Sequence, residues 1–162
     1  QLEKIKKELL RYKIKPDFNE NKDLAENLKV ITKQLEKIKI QNVINDKSKN
    51  KIKDKKIGNY VLRQQTLNDF PPKELRSVID KGKKDLKSGI IISISTFEEK
   101  VGVAVGVTND LISKYDAVSL VKIASETLGG KGGGGRKDFA QAGGTNTNKI
   151  DEAFKAITDK IN

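Results

Sequence analysis

Residues 89–108 have the sequence GIIISISTFEEKVGVAVGVT, and this stretch decides the fold. The run from Gly89 to Ser95 is short and β-branched, which favours a central strand. Residues 101–108 alternate Val with Gly or Ala and predict a second strand. Residues 98–100, Glu-Glu-Lys, are the predicted connection. The stretch therefore predicts a β-hairpin whose first strand lies inside a sheet.

The segments around this hairpin predict further strands and helices. Residues 57–67 suit a strand, and Pro71-Pro72 can start a helix that continues to Leu86. Helical spacing of apolar residues recurs in residues 117–128 and 150–161. We therefore expect a small globular domain of the α/β (α+β) class over residues 57–162, with helices packed on a β-sheet.

Residues 1–56 predict a basic helical arm. Apolar residues at spacings of 3, 4 and 3 mark a first helix, and Pro16 interrupts the pattern. Asp17, followed three places later by Glu20, predicts a capping box that opens a second helix. The segment from Asn45 to Lys56 has one Ile among polar residues, so it predicts a loop or linker.

The second helix carries a regular apolar seam, whose members alternate by 4 and 3: Leu24, Leu28, Ile31, Leu35 and Ile38. Such spacing is typical of a coiled coil, and Asn42 and Asn45 continue it with polar residues. The seam is shorter than the three to four heptads of a sustained coiled coil. It therefore suits either a helical hairpin or a homodimer.

Composition excludes several classes of site. The chain has 162 residues, no Cys and no His, so a zinc finger, a thiol nucleophile and imidazole acid–base chemistry are excluded within it. We expect neither a catalytic nor a metal site. Met is absent and the chain begins at Gln1, so we expect a piece of a longer protein. No apolar run is long enough for a membrane span, and we expect a cytoplasmic location.

The formal charge of +11 suggests a polyanionic partner, because cations that neutralise phosphates release counterions. The 29 Lys stand beside four Arg, 18 Ile and 12 Asn, a combination that codon bias in an A/T-rich genome also produces. The charge by itself therefore leaves the partner undecided.

The segment GGKGGGGRKDFAQAGG, residues 129–144, holds eight of the 13 glycines. Glycines let backbone N–H groups approach an anion, so we predict a phosphate-binding loop. A flexible connector is the alternative. The tract follows a predicted helix and lacks G-K-[S/T], so neither the Rossmann nor the Walker motif applies. The candidate RNA-binding residues are Lys131, Gly132, Gly133, Gly134, Gly135, Arg136, Lys137 and Gln141.

The tract also contains one aromatic side chain, Phe139, and one amide side chain, Gln141. Phe139 lies beside the cations and could stack on a base, whereas Phe70, Phe97 and Phe154 fall on apolar patterns and are expected in the core. Gln141 could contact a sugar or base edge, cap a helix or satisfy the loop backbone.

The residues from Val118 to Gly144 resemble the C-terminal domain of bacterial alanyl-tRNA synthetase, a DHH-associated domain family. The similarity rests on Gly129-Gly130-Lys131, the glycine run, Arg136 and Ala140-Gln141-Ala142-Gly143-Gly144. The order of predicted elements over residues 57–161 is similar too, and the helices before them match the arm that joins this domain to the editing region. Lys137 stands where the family commonly has Pro, and Phe139 where Met is common.

The resemblance implies a noncatalytic domain that binds the elbow of tRNA, with possible dimerisation through the arm. The parent would be an alanine–tRNA ligase whose ATP, magnesium and zinc belong to its aminoacylation and editing domains. Two other functions stay open, namely the C-terminal nucleic-acid-binding part of a DHH-type phosphoesterase or exonuclease, and a helical self-association module.

Overall fold

A computed structural model describes residues 1–46 and 50–162, and for Val43 the backbone alone. The chain divides into two compact units, residues 1–45 and residues 46–162, which we name the helical unit and the sheet unit. The expected fold class is confirmed, because helices come first and a mixed α/β domain follows.

The helical unit is a helical hairpin made of α1 (Leu2–Arg11) and α2 (Leu24–Asn45). Leu9, Ile31 and Leu35 form its buried centre, and Leu2, Ile5 and Ile38 pack around them. Three of the five seam residues therefore contact α1 of the same chain. The seam is used inside a helical hairpin, one of the two arrangements that its spacing allowed.

The predicted capping box is wrong, because α2 begins at Leu24 and neither Asp17 nor Glu20 lies at its start. Asp23 caps the helix, and its Oδ1 accepts a hydrogen bond from the Glu26 N–H at 2.7 Å. The segment between the helices has its own bonds: the side chain of buried Asn27 donates to the carbonyl oxygens of Asn19 and Lys22 at 2.9 and 3.0 Å. These bonds hold residues 19–22 outside the helix.

Over its described residues, the sheet unit contains six strands in the order β1-β2-β3-β4-β6-β5. Strands β2 and β3 are parallel and the other neighbours are antiparallel. The strands are β1 (Asn50–Ile57), β2 (Tyr60–Asn68), β3 (Gly89–Phe97), β4 (Lys100–Val107), β5 (Gly133–Gly135) and β6 (Phe139–Gly144). The helices are α3 (Leu75–Leu86), α4 (Ala117–Thr127) and α5 (Ile150–Ile161), with short 3₁₀ turns at Pro72–Glu74 and Thr147–Lys149.

The predicted β3–β4 hairpin is confirmed and lies at the centre of the sheet. Glu98 and Glu99 form its two-residue turn with positive φ angles of 48° and 64°, which match the twist of the strands. Ile90, Ile92 and Ile94 of β3 are fully buried in the core that α4 and α5 cover. On the other face of β4, Gly102 and Gly106 leave room for Pro72 and Ile79. Helices therefore cover both faces of the sheet.

The predicted linker is wrong for residues 50–56, which belong to β1 at one edge of the sheet. Residues 47–49 lie outside the described residues. The predicted strand over residues 57–67 begins instead at Tyr60, because Gly58, with a φ of +56°, and Asn59 turn the chain from β1 into β2. An edge strand is solvated on both faces here, so its sequence lacks the apolar alternation by which strands are found.

Capping by Asp23 rather than by Asp17 is testable. We expect Asp23→Ala to remove the bond to the Glu26 N–H and to destabilise the first turn of α2 by about 1 kcal/mol. Asp17→Ala is the matched control, because the Asp17 carboxylate lies outside that turn. Amide hydrogen exchange at residues 25–28 measures the difference, and equal exchange in the two variants would contradict it.

Candidate nucleic-acid interface

The Gly-rich tract is a β-hairpin and not a loop, so that part of the prediction is wrong. Arg136 and Phe139 exchange backbone hydrogen bonds, with N–H to O distances of 2.7 and 3.2 Å, across a turn made by Lys137 and Asp138. Strand β5 precedes the turn, and β6 continues along β4 inside the sheet. We name residues 133–144 the Gly hairpin.

Close packing accounts for four of the eight glycines in residues 129–144. A Cβ on Gly130 would lie 1.9 Å from the Gly143 carbonyl oxygen, and one on Gly144 would lie 2.5 Å from the Leu128 oxygen. Gly133 and Gly135 are equally crowded by the backbone of β6. No side chain fits at these distances, so these glycines are needed by the fold whatever the hairpin binds.

Ser125, a buried residue of α4, ties the segment before the hairpin to the sheet. Its hydroxyl donates to the Gly143 oxygen at 3.0 Å and accepts from the Gly132 N–H at 3.2 Å, while its backbone oxygen accepts from the Gly130 N–H at 2.8 Å. The end of α4 and the hairpin are therefore held together by a bonded network, which a flexible connector would lack.

Gly134 differs from its crowded neighbours, since it is exposed and a Cβ there would meet nothing within 4 Å. Gly132 is open as well, but its φ of +98° disfavours other residues. Gly134 is therefore the one residue of β5 at which packing does not require glycine.

Strand β5 is the last strand at its edge of the sheet as far as the structure describes the chain. Because Arg136 and Phe139 form a hydrogen-bonded pair and such pairs alternate, the backbone groups of Gly133 and Gly135 point away from β6. The open edge therefore presents backbone N–H and C=O groups with no side chains in front of them.

The three cations predicted from the tract, Lys131, Arg136 and Lys137, are all exposed. Arg136 Nε lies 3.4 Å from Asp138 Oδ1, and Asp138 Oδ2 lies 3.6 Å from Lys83 Nζ. Asp138 therefore joins the hairpin turn to α3. One carboxylate between two cations leaves this corner with a net positive charge.

Helix α3 contributes two cations that the sequence analysis did not single out. The Arg76 guanidinium lies 5.2 Å from the centre of the half-buried Phe139 ring, and Lys83 lies beside Asp138. The scarcity of Arg, with four in the chain, was the available signal for Arg76. Nothing in the sequence indicated Lys83, which only the packing of α3 on the sheet brings to the hairpin.

Gln141 bonds to the backbone. Its Nε2 donates to the Pro72 carbonyl oxygen at 2.6 Å, at the start of the turn that leads into α3. Gln141 therefore bonds to backbone at Pro72, outside the Gly-rich tract, and not to the loop backbone that was one of its alternatives. Of the aromatic residues expected in the core, Phe70 and Phe154 are buried, whereas Phe97 is only partly buried.

The seam residues belong to the helical unit and take no part in this site. Ile31 and Leu35 are buried, Leu28 and Ile38 are partly buried, and the Leu24 side chain is 64% exposed. A dimer along the whole seam would therefore need the helical hairpin to open.

Residues 1–46 and 50–162 contain no group of three or more Asp or Glu side chains placed to hold a metal ion. None of the helices described there has the length and apolarity to cross a membrane.

Comparison with known proteins gives consistent matches. Residues 58–162 match the family model of the DHHA1 domain. Alanine–tRNA ligase of Granulibacter bethesdensis is 46% identical over 109 residues, which are 67% of this chain and 12% of the relative. That of Parvibaculum lavamentivorans is 48% identical over 101 residues, which are 62% of this chain and 11% of the relative.

Solved structures agree with these relatives. The C-Ala domain of Aquifex aeolicus alanyl-tRNA synthetase matches with a TM-score of 0.62 and 29% identity, over 66% of this chain and 96% of that domain. A DHH-domain member of the S1p family of ribosomal proteins matches with a TM-score of 0.53 and 18% identity, over 85% and 34% of the two chains. The second match shows the fold alone.

The division of the glycines into crowded and free positions predicts opposite effects of one substitution. Gly130→Ala places a Cβ against the Gly143 oxygen and should destabilise the sheet unit by about 1–3 kcal/mol or more. Gly134→Ala should change stability by less than about 1 kcal/mol in either direction. Urea unfolding followed by circular dichroism measures both, and equal losses would contradict the assignment.

Proposed function

Because the chain belongs to the DHHA1 domain family and is homologous to the C-terminal domain of alanyl-tRNA synthetase, we propose that it binds tRNA without catalysing a reaction. The chain spans about 12% of the length of the curated relative from Granulibacter bethesdensis. In this proposal it is one domain of an alanine–tRNA ligase and contacts the elbow of the tRNA that the aminoacylation and editing domains use.

The observation that supports binding is the convergence of cations on an open backbone edge. Arg76 and Lys83 of α3 lie beside Phe139 and Asp138, and Arg136 and Lys137 lie in the adjoining turn. Exposed cations suit a phosphate backbone because they contribute positive potential at short range, and the N–H groups of the open edge can donate hydrogen bonds to its oxygens. The exposed tip of the hairpin, not the buried part, is therefore the proposed contact.

Individual roles follow from exposure. Lys131, Arg136 and Lys137 contact phosphates, and the backbone at Gly134 allows close approach. Phe139 offers part of its ring for stacking beside Arg76. Gln141 already bonds Pro72, so a base contact would use its remaining amide atoms. Gly132, Gly133 and Gly135 contribute backbone shape, while the lysines of the helical unit add nonspecific attraction.

The chemistry of the parent enzyme is proposed to lie elsewhere. Without Cys or His, this chain has no thiolate or imidazole for catalysis or zinc binding. ATP, magnesium and zinc would belong to the aminoacylation and editing domains, and the whole protein would act in the cytoplasm. The phosphoesterase alternative has less support, because the relatives at 46–48% identity are ligases.

Replacing hairpin cations tests the proposal. We expect Arg136→Ala/Lys137→Ala to weaken tRNA binding about 10-fold. The negative slope of the logarithm of the binding constant against log salt should become shallower by about 2 units, one for each lost phosphate contact. Lys81→Ala/Lys84→Ala is the control of equal charge, at exposed positions of α3. Filter-binding titrations between 50 and 200 mM salt give both quantities.

Two results would count against the proposal. If the hairpin variant and its control bound alike, the hairpin would not be the contact. A minihelix that carries the acceptor stem without the elbow should bind more weakly than intact tRNA, and equal affinity would exclude elbow recognition.

Self-association through the helical unit is a second proposal, supported by apolar exposure at the start of α2. Leu24 is 64% exposed and Leu28 is partly buried, outside the cluster that holds the hairpin together. We expect Leu24→Lys/Leu28→Lys to convert a dimer into a monomer, because charge at an apolar contact is costly. Light scattering measures the mass, and a wild-type monomer would exclude this proposal.

A further inference from the structure

Strand β1 carries a row of lysines at the edge of the sheet opposite the Gly hairpin. Lys51, Lys53 and Lys55 are exposed and occupy alternate positions, so their side chains leave the same face of the strand. Their partners in β2 are Thr66, Gln64 and Leu62. We name these three residues the lysine row.

The two faces of β1 differ in the charges that surround them. On the face that holds Asp54, Arg63 of β2 donates two hydrogen bonds to the Asp54 carboxylate, at 2.8 and 2.9 Å, and its Nη1 lies 3.6 Å from an oxygen of Asp85. Lys56 shares that face, where Asp54 of β1 and Asp85 of α3 both pair with Arg63.

Among the described residues, the face of the lysine row has no such ion pairs. Its neighbours on β2 are uncharged, and Gln64 Nε2 donates to the Thr158 hydroxyl of α5 at 2.9 Å. No lysine of the row forms an ion pair with any residue of the described ranges. Three positive charges therefore stand together without a carboxylate partner.

The spacing of the row suits a phosphate backbone. Residues two apart in a strand are separated by about 6.7 Å, a distance similar to that between successive phosphates of one nucleic-acid strand. Five strand spacings of about 4.8 Å place β1 roughly 24 Å from β5, and the row lies on the α5 face whereas Phe139 and Gln141 meet α3. One phosphate group cannot bridge the two sites.

We propose that the lysine row is a second RNA-binding surface, which contacts consecutive phosphates of a segment of tRNA other than the one at the Gly hairpin. This inference rests on the proposed function, because it takes tRNA as the ligand. The row holds its RNA through phosphates alone and adds affinity without sequence preference.

Protection of an exposed edge is the other role that lysines of an edge strand can have. Charge on either face would block pairing with another strand, so protection does not require three lysines to share a face without an ion pair. Three lysines without ion pairs on one face of β1, as far as the structure describes the chain, are expected for a surface that meets an anion on that side.

Variants on opposite faces of β1 separate these roles. Lys53→Gln should weaken tRNA binding about 2–5-fold and lower the salt slope by about 1 unit, and the triple change of the row to Gln should lower it by 2–3 units. Lys56→Gln is the matched control, since it removes the same charge from the same strand at an exposed position on the other face. Circular dichroism checks that each variant is folded.

The outcomes distinguish this inference from the proposed function. If Arg136→Ala/Lys137→Ala weakens binding and the row variants match Lys56→Gln, the row is not a contact and only the present inference fails. If wild-type chain binds no tRNA, both fail. If the triple variant self-associates while its monomer binds tRNA with unchanged affinity, the row protects the edge strand and the inference is overturned.

Chemical labelling gives an independent reading without substitutions. Acetylation of lysines by an N-hydroxysuccinimide ester, followed by mass spectrometry, should show Lys51, Lys53 and Lys55 protected at least 3-fold by tRNA, with Lys56 unprotected. Equal protection of all four lysines would overturn the assignment to one face.

Discussion

The contact between Gly130 and the Gly143 carbonyl oxygen is the constraint on which the site depends. A Cβ at Gly130 would lie 1.9 Å from that oxygen, so the end of α4 reaches β6 only because the residue is glycine. Ser125 holds the approach with bonds to Gly143, Gly132 and Gly130. These bonds hold the segment that leads from α4 into β5 against β6.

The same close packing decides which charges meet. With β6 fixed along β4, the turn residue Asp138 lies between Arg136 and Lys83, and Phe139 lies under Arg76. Two helical cations thereby join the hairpin cations at one corner of the sheet. The positive surface is built by the fold of the unit, and no single segment of the chain contains it.

Prediction from sequence succeeded where a pattern has one local cause. β-branched runs marked β3 and β4, and helical spacing marked α3, α4 and α5. It failed at β1, a solvated edge strand without apolar alternation, and at Asp17, which has the capping signature but lies outside α2 because Asn27 holds the preceding segment in another conformation. Both failures arise where a distant bond or a missing neighbour outweighs the local preference.

The sequence by itself determined the composition of the site: eight glycines among cations, no Cys and no His, and a resemblance that the related ligases confirm. Only the tertiary structure decided that four of these glycines serve close packing, that Gly134 is free, and that Arg76 and Lys83 belong with Arg136. The reason is physical, since a glycine signals absence of a side chain but not whether protein backbone or a ligand fills the space.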